Sequence, residues 1–106
     1  MAFETLMDKV NAFDGAFALW WLGQMGYIVR AGKLTLLLDA YLTDDPARRI
    51  PPLLSPAQLR GVDFVFGSHD HLDHIDDCAW RRIADVSPKT RFIVPALLAD
   101  KIAARL

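Results

Sequence analysis

With 106 residues the chain is one domain at most, and its 53% hydrophobic residues, three Trp and six Phe among them, supply ample material for a core. Twelve Lys and Arg against thirteen Asp and Glu leave a formal net charge of −1, without the basic excess that a dedicated nucleic-acid or acidic-membrane binder needs. The single Cys78 excludes an internal disulfide, the N-terminus lacks a basic-then-apolar leader pattern, and no apolar run approaches the ~18 residues of a membrane span, so a soluble cytoplasmic protein is expected.

Along the chain, Phe3, Leu6, Met7, Val10 and Phe13 recur at spacings of three and four, which predicts an N-terminal helix within residues 1–14, stopped by Asp14-Gly15. Residues 17–22 are apolar and aromatic and read as a buried strand. Glycine turns at Gly23 to Gly26 and at Gly32 set off two further strands, residues 27–31 and 34–38, the last ended by Asp39. Three short strands joined by such turns predict an antiparallel meander. Residues 43–61 hold four of the six prolines and read as a loop with a helical turn near residues 57–60. Residues 62–66 form a near-continuous apolar run, expected to be a strand buried on both faces. Ile75, Ala79, Ile83 and Val86 mark a helix face ended by Ser87-Pro88; residues 91–94 form a fifth strand, and Pro95 opens a last helix. The organisation is one partial domain over residues 1–106: a helix, then strands and a proline-rich loop over 17–66, then a histidine-rich loop with helix, strand and helix over 67–106. The class is mixed α/β.

All three histidines lie within six residues, in His69-Asp70-His71-Leu72-Asp73-His74. A stable fold has little use for such crowding, whereas neutral imidazole and carboxylate together are good ligands for zinc-class cations. In an extended loop His69 and His71 point to one side and reach one ion, while Leu72 turns away to anchor the loop in the core. Asp73 and His74 address a second ion, and the following helix aims its N-terminal dipole at the site. The competing reading is a solvated loop with a helix cap: Asp73 as the cap, Asp76 and Asp77 as first-turn acids. That reading is accepted for Asp76 and Asp77 but not for the histidines. Cys78, four after His74, reads as a packed thiol in preference to a ligand. Arg48-Arg49 offers a clamp for a substrate phosphate or carboxylate, against the plainer reading of a surface pair. Trp20 and Trp21 point to opposite faces of their strand, so one of them is core.

A strand, small residues and then His-x-His-x-Asp-His resemble the metallo-β-lactamase superfamily, matched at each required position by Gly67-Ser68-His69-Asp70-His71-Leu72-Asp73-His74. Trp20-Trp21-Leu22-Gly23, the following glycine turn and a strand ending in Asp39 resemble the start of its L-ascorbate-6-phosphate lactonase-like branch. The resemblance implies an αββα sandwich, of which this chain is the N-terminal half: a mixed sheet with flanking helices. It implies that His69 and His71 ligate one metal and Asp73 and His74 the other, Asp73 and His74 thereby serving catalysis as well. Asp39 would stand behind the metal loop as an acceptor orienting a ligand imidazole, and Asp70 would have a similar supporting place. The implied cofactor is a divalent metal, two ions in the complete enzyme, with zinc, manganese and iron all suited to the donors. The implied activity is metal-dependent hydrolysis of a small-molecule substrate, a lactone or other ester-like bond, by a metal-bound hydroxide. Phosphodiester cleavage on the same fold is one alternative, and a non-catalytic metal-binding or assembly module is another. No nucleic-acid or membrane partner is expected. The family's second half contributes a further His to each metal, and this chain has no fourth histidine. The aromatic load of Phe17, Trp20, Trp21 and Phe64 exceeds what one small sheet hides, so a homo-oligomer covering the exposed sheet face is expected.

Overall fold

The computed structural model describes residues 4–106. The predicted contribution of Phe3 to the first helix lies outside them. Helix α1 runs Leu6–Ala12, shorter than the pattern suggests, and starts at a capping box in which Thr5 and Asp8 satisfy each other's backbone N–H. The Thr5 backbone N–H foremost, and the Thr5 side chain second, hold the Asp8 carboxyl below its ordinary range. Strands β1 (Phe17–Trp21), β2 (Tyr27–Ala31) and β3 (Leu34–Leu38) form the expected antiparallel meander. β4 (Phe64–Phe66) and β5 (Arg91–Ile93) then add in parallel, giving one five-stranded sheet in the order β1-β2-β3-β4-β5. Helix α2 (Asp77–Val86) makes the crossover between β4 and β5, and a 3-10 turn at Ala96–Leu98 leads into helix α3 (Ala99–Arg105). The helical turn of the proline-rich loop is a 3-10 turn at Pro56–Gln58, opened by Pro56 at its first position. Among the described residues no helix is long and apolar enough to cross a membrane.

The core joins the helices to one face of the sheet. Met7 and Val10 of α1, Ala79, Trp80 and Ile83 of α2 and Ile102 of α3 meet Ile28, Leu37 and Val65 from the middle strands, with Trp20 and Phe92 packed against them. Each such aliphatic side chain taken from water contributes roughly 1.5–3 kcal/mol. Arg30 also points to this side. Its buried guanidinium donates to the Val10 carbonyl at 2.6 Å and the Gly32 carbonyl at 3.2 Å. A cation at the end of α1 complements the helix dipole there. The fold is therefore α/β with helices packed on one face of a mixed sheet, as expected for half of an αββα sandwich.

Two strand expectations need correction. β1 is not buried: Phe17, Leu19 and Trp21 point into solvent, because β1 is the sheet edge and its odd positions lie on the face away from the helices. β4 is buried on one face only, through Val65, while Phe64 and Phe66 are half-exposed on the other. An apolar run reads as doubly buried when a second layer covers the sheet, and the described residues provide a single layer.

Candidate metal centre

Backbone bonds bring the ends of three parallel-running strands together under the histidine loop. The Asp39 N–H donates to the Phe66 carbonyl at 2.9 Å, and the Gly67 N–H donates to the Ile93 carbonyl at 3.0 Å. Asp39 stands at the end of β3 with φ 45°, a left-handed conformation that Asp tolerates better than most residues. Its side chain accepts the Ser68 N–H at 2.7 Å, so the first residues of the loop hang from β3 as well as from β4. Gly67 is required at the exit of β4. A Cβ there would overlap Ile75 Cγ1 and lie 3.1 Å from Trp80.

From this anchor the loop winds, where the sequence suggests an extended strand. The His71 N–H bonds to the His69 carbonyl, the His74 N–H to the His71 carbonyl, and the Ile75 N–H to the same His71 carbonyl. The winding still gathers the imidazoles. The rings of His69 and His71 meet edge to face at 4.5 Å, with His69 Nε2 3.0 Å from His71 Nδ1, and the rings of His69 and His74 lie 4.0 Å apart. His74 Nδ1 faces Asp39 Oδ1 at 3.5 Å, and His74 Nε2 faces Asp73 Oδ2 at 3.8 Å. Leu72 is exposed and does not anchor the loop; the buried Ile75 does, because the turn at residues 71–74 rotates Leu72 outward.

Asp70 is turned away from the rings. Its two oxygens meet Arg105 and Lys101 of α3, each at 2.8 Å. These hydrogen bonds, from Arg105 first and Lys101 second, pull its carboxyl far below the usual carboxylate range, and Asp70 in turn raises the Arg105 guanidinium. Arg105 Nε also pairs with Asp77 at 2.9 Å, so one guanidinium ties the loop and the start of α2 to α3. Arg105 carries no sequence signal, since its role depends on how α3 packs.

The start of α2 differs from the sequence reading in a physically informative way. The cap is Asp76, not Asp73: its Oδ1 accepts the Ala79 N–H at 3.3 Å. Asp76 is fully buried and also accepts the backbone N–H groups of Leu42 and Thr43, both at 2.9 Å, and the Thr43 hydroxyl at 2.7 Å. The helix therefore directs its first turn at its own cap, and Asp76 joins that cap to the segment following Asp39. The preference of Asp for a cap position made this findable; its long-range partners were not. Cys78 is exposed and not packed, and Arg48 turns inward to the Tyr41 and Ile50 carbonyls. Ile50 and Leu53 line a cavity of about 450 Å³ with Trp21, Arg48 and Arg49.

A UPF0173 metal-dependent hydrolase from Ruegeria sp. is 34% identical to the chain over 59 residues, covering 56% of it. An N-acyl-phosphatidylethanolamine-hydrolyzing phospholipase D from Caenorhabditis elegans is 31% identical over 96 residues, covering 83% of the chain. The chain belongs to the metallo-β-lactamase superfamily. A third member, a probable L-ascorbate-6-phosphate lactonase from Shigella boydii, is 27% identical over 97 residues, covering 66% of the chain. No protein-family profile matches. The chain spans about a quarter of the length of these curated relatives: 25% of the Ruegeria protein and 27% of each of the other two.

The donor chemistry fits a divalent cation in pairs. His69 and His71 bring two ring nitrogens to 3.0 Å of each other, and His74 Nε2 lies 3.8 Å from Asp73 Oδ2. Among the described residues no three His, Cys, Asp or Glu side chains converge as a complete ion site. Two protein ligands per ion fall short of the three usual at a catalytic zinc.

Proposed function

We infer that this chain is the metal-loop portion of a metal-dependent hydrolase. His69 and His71 are assigned to one ion, and Asp73 and His74 to a second. The observation that carries the reading is the gathering of three imidazoles, with the His69 ring 4.5 Å from His71 and 4.0 Å from His74. A cation of the zinc class takes several imidazoles at once, which gives a loop a reason to gather them. Held by His69 and His71 and by Asp73 and His74, divalent ions of the zinc, manganese or iron class would supply Lewis-acid activation of water and of the substrate. This chain's own part is positional. Asp39, held by the Ser68 N–H, faces the His74 ring from behind and favours one orientation of it, while Asp70 fixes the backbone between His69 and His71 through α3.

The favoured substrate class is an ester-like carbonyl such as a lactone, supported by the likeness to the Shigella protein. The second reading, phosphodiester cleavage, is favoured by a specific observation: the phospholipase D relative is matched over the larger share of the chain. Competition for zinc against a chromophoric chelator tests the assignment. The chain should withdraw zinc, and the double change His69→Ala and His71→Ala should abolish the stronger component. Equal withdrawal by the double variant would refute it.

A further inference from the structure

The segment that joins His69 to His71 is a single tight turn. The His71 N–H closes back on the His69 carbonyl at 2.9 Å, which makes Asp70 the central residue of a three-residue turn. Any rotation of the Asp70 backbone swings the two imidazoles relative to each other. The neighbouring anchors lie on either side of this turn: the Ser68 N–H on Asp39 before it, the Ile75 N–H on the His71 carbonyl after it. The rings also touch, His69 Nε2 to His71 Nδ1 at 3.0 Å. His69 Nδ1 lies 2.9 Å from the Ser68 hydroxyl, so the nitrogen facing His71 is the one left for a cation. That ring contact therefore cannot keep the spacing once an ion is held. The Asp70 side chain can. Both its oxygens are taken by α3 at 2.8 Å, Oδ1 by Arg105 and Oδ2 by Lys101.

The two cations are not equivalent. The Lys101 side chain is 63% exposed and that of Arg105 31%. An ammonium on a long, exposed stem is a weak tether, whereas a guanidinium fork can address two acids at once. Arg105 Nε lies 2.9 Å from Asp77 Oδ2, and the Arg105 carbonyl accepts from Arg81 Nη2 at 2.9 Å. Asp77 and Arg81 stand four residues apart on α2, so one helix grips both the side chain and the main chain of Arg105. α2 is itself fixed to the segment after β3 through Asp76. The same segment follows Asp39, which faces the His74 ring. Arg105 thus refers the turn at Asp70 to the frame that already orients His74. We propose that Arg105 is a positioning residue for the metal loop: through Asp70 it sets the His69–His71 pair for one ion, with Lys101 a minor contributor. This role rests on the metal reading above and goes beyond it, since Arg105 is no ligand. Partners that orient metal ligands are worth roughly 10–100-fold in affinity.

Zinc titration of the folded chain, followed through the imidazole ¹⁵N resonances, reads His69 and His71 apart from His74. In Arg105→Gln the His69 and His71 midpoints should rise about tenfold or more in zinc, and the His74 midpoint by less than about threefold. Arg105→Lys, which keeps a cation beside Asp70, should recover part of the loss, and Lys101→Gln should stay within about twofold of the parent. Asp70→Asn should reproduce the loss, and combining it with Arg105→Gln should weaken binding no further than either change alone. If Arg105→Gln loses the far-ultraviolet circular dichroism of the parent, Asp70→Asn makes the same comparison from the loop side. In the metal-free chain, the nuclear Overhauser contact between the His69 and His71 rings should weaken in the same variants. Unchanged midpoints in folded Arg105→Gln, an equal rise at His74, or additive losses in the double variant would each overturn the role given to Arg105. A parent whose rings ignore zinc would instead defeat the metal reading. The metal-free ring contact then decides the positioning role: weakened in Arg105→Gln it stands, unchanged it falls.

Discussion

Replacing Asp76 by alanine should be among the most damaging single changes in the chain. Its two oxygens accept three backbone N–H groups, from Leu42, Thr43 and Ala79, and one hydroxyl, from Thr43. Alanine strands those donors where no side chain replaces the acceptor. A buried donor left unpaired costs about 1–3 kcal/mol, and losing a helix cap costs ~1 kcal/mol, a contribution that overlaps the Ala79 bond. Some relief comes from entering water and from the partial exposure of Thr43, so the net expectation is about 3–5 kcal/mol. Asparagine should cost roughly half as much. Its carbonyl retains the Leu42 and Thr43 N–H groups, the Thr43 hydroxyl turns to accept from its amide, and the Ala79 N–H alone faces a donor. Urea unfolding followed by Trp fluorescence and circular dichroism, at fixed protein concentration, measures both. With a slope of ~1–3 kcal/mol per molar urea, the alanine midpoint should fall by more than ~1 M. A loss below ~1 kcal/mol for alanine, or asparagine as damaging as alanine, would refute the account of Asp76 as the hub joining α2 to the segment after β3.

Gly67→Ala should destabilise the chain by about 1–3 kcal/mol, since the new methyl must displace Ile75 and Trp80 together; the same urea assay with an unchanged midpoint would contradict this. The Asp8 carboxyl should titrate below the ordinary ~3.9 in a carbon-detected NMR titration, and Thr5→Val should move its midpoint partway back. Because the folded-state value is depressed, this contribution to stability is complete above the unfolded-state value and is lost as pH falls through the folded one. Thr43→Val should cost only about 1 kcal/mol, since both Asp76 bonds to backbone N–H groups of that segment survive.

Much of the fold was legible because its signals are local. The glycine turns at Gly23 to Gly26 and at Gly32 punctuate the meander, and Pro56 and Pro95 open their helical turns. The gathering of the histidines was legible, since three of them fall within six residues and their rings meet in the folded loop. Exposure was not legible. Phe17, Leu19 and Trp21 have the composition of a core strand, and only the strand order shows β1 to be an edge with an uncovered side. Leu72 reads as an anchor only in an extended loop, whereas residues 69–75 wind and turn it outward. Partners distant in sequence, Asp70 with Arg105 and Asp76 with Leu42, depend on packing that no local pattern encodes.

The histidine loop as half of a metal centre is best tested by following the imidazole nitrogens of His69, His71 and His74 by ¹⁵N NMR while zinc is added to the folded chain. All three rings should shift together and saturably, with Cys78 unaffected and the Asp70 ion pairs intact. Rings that keep their metal-free nitrogen shifts at millimolar zinc would contradict the account.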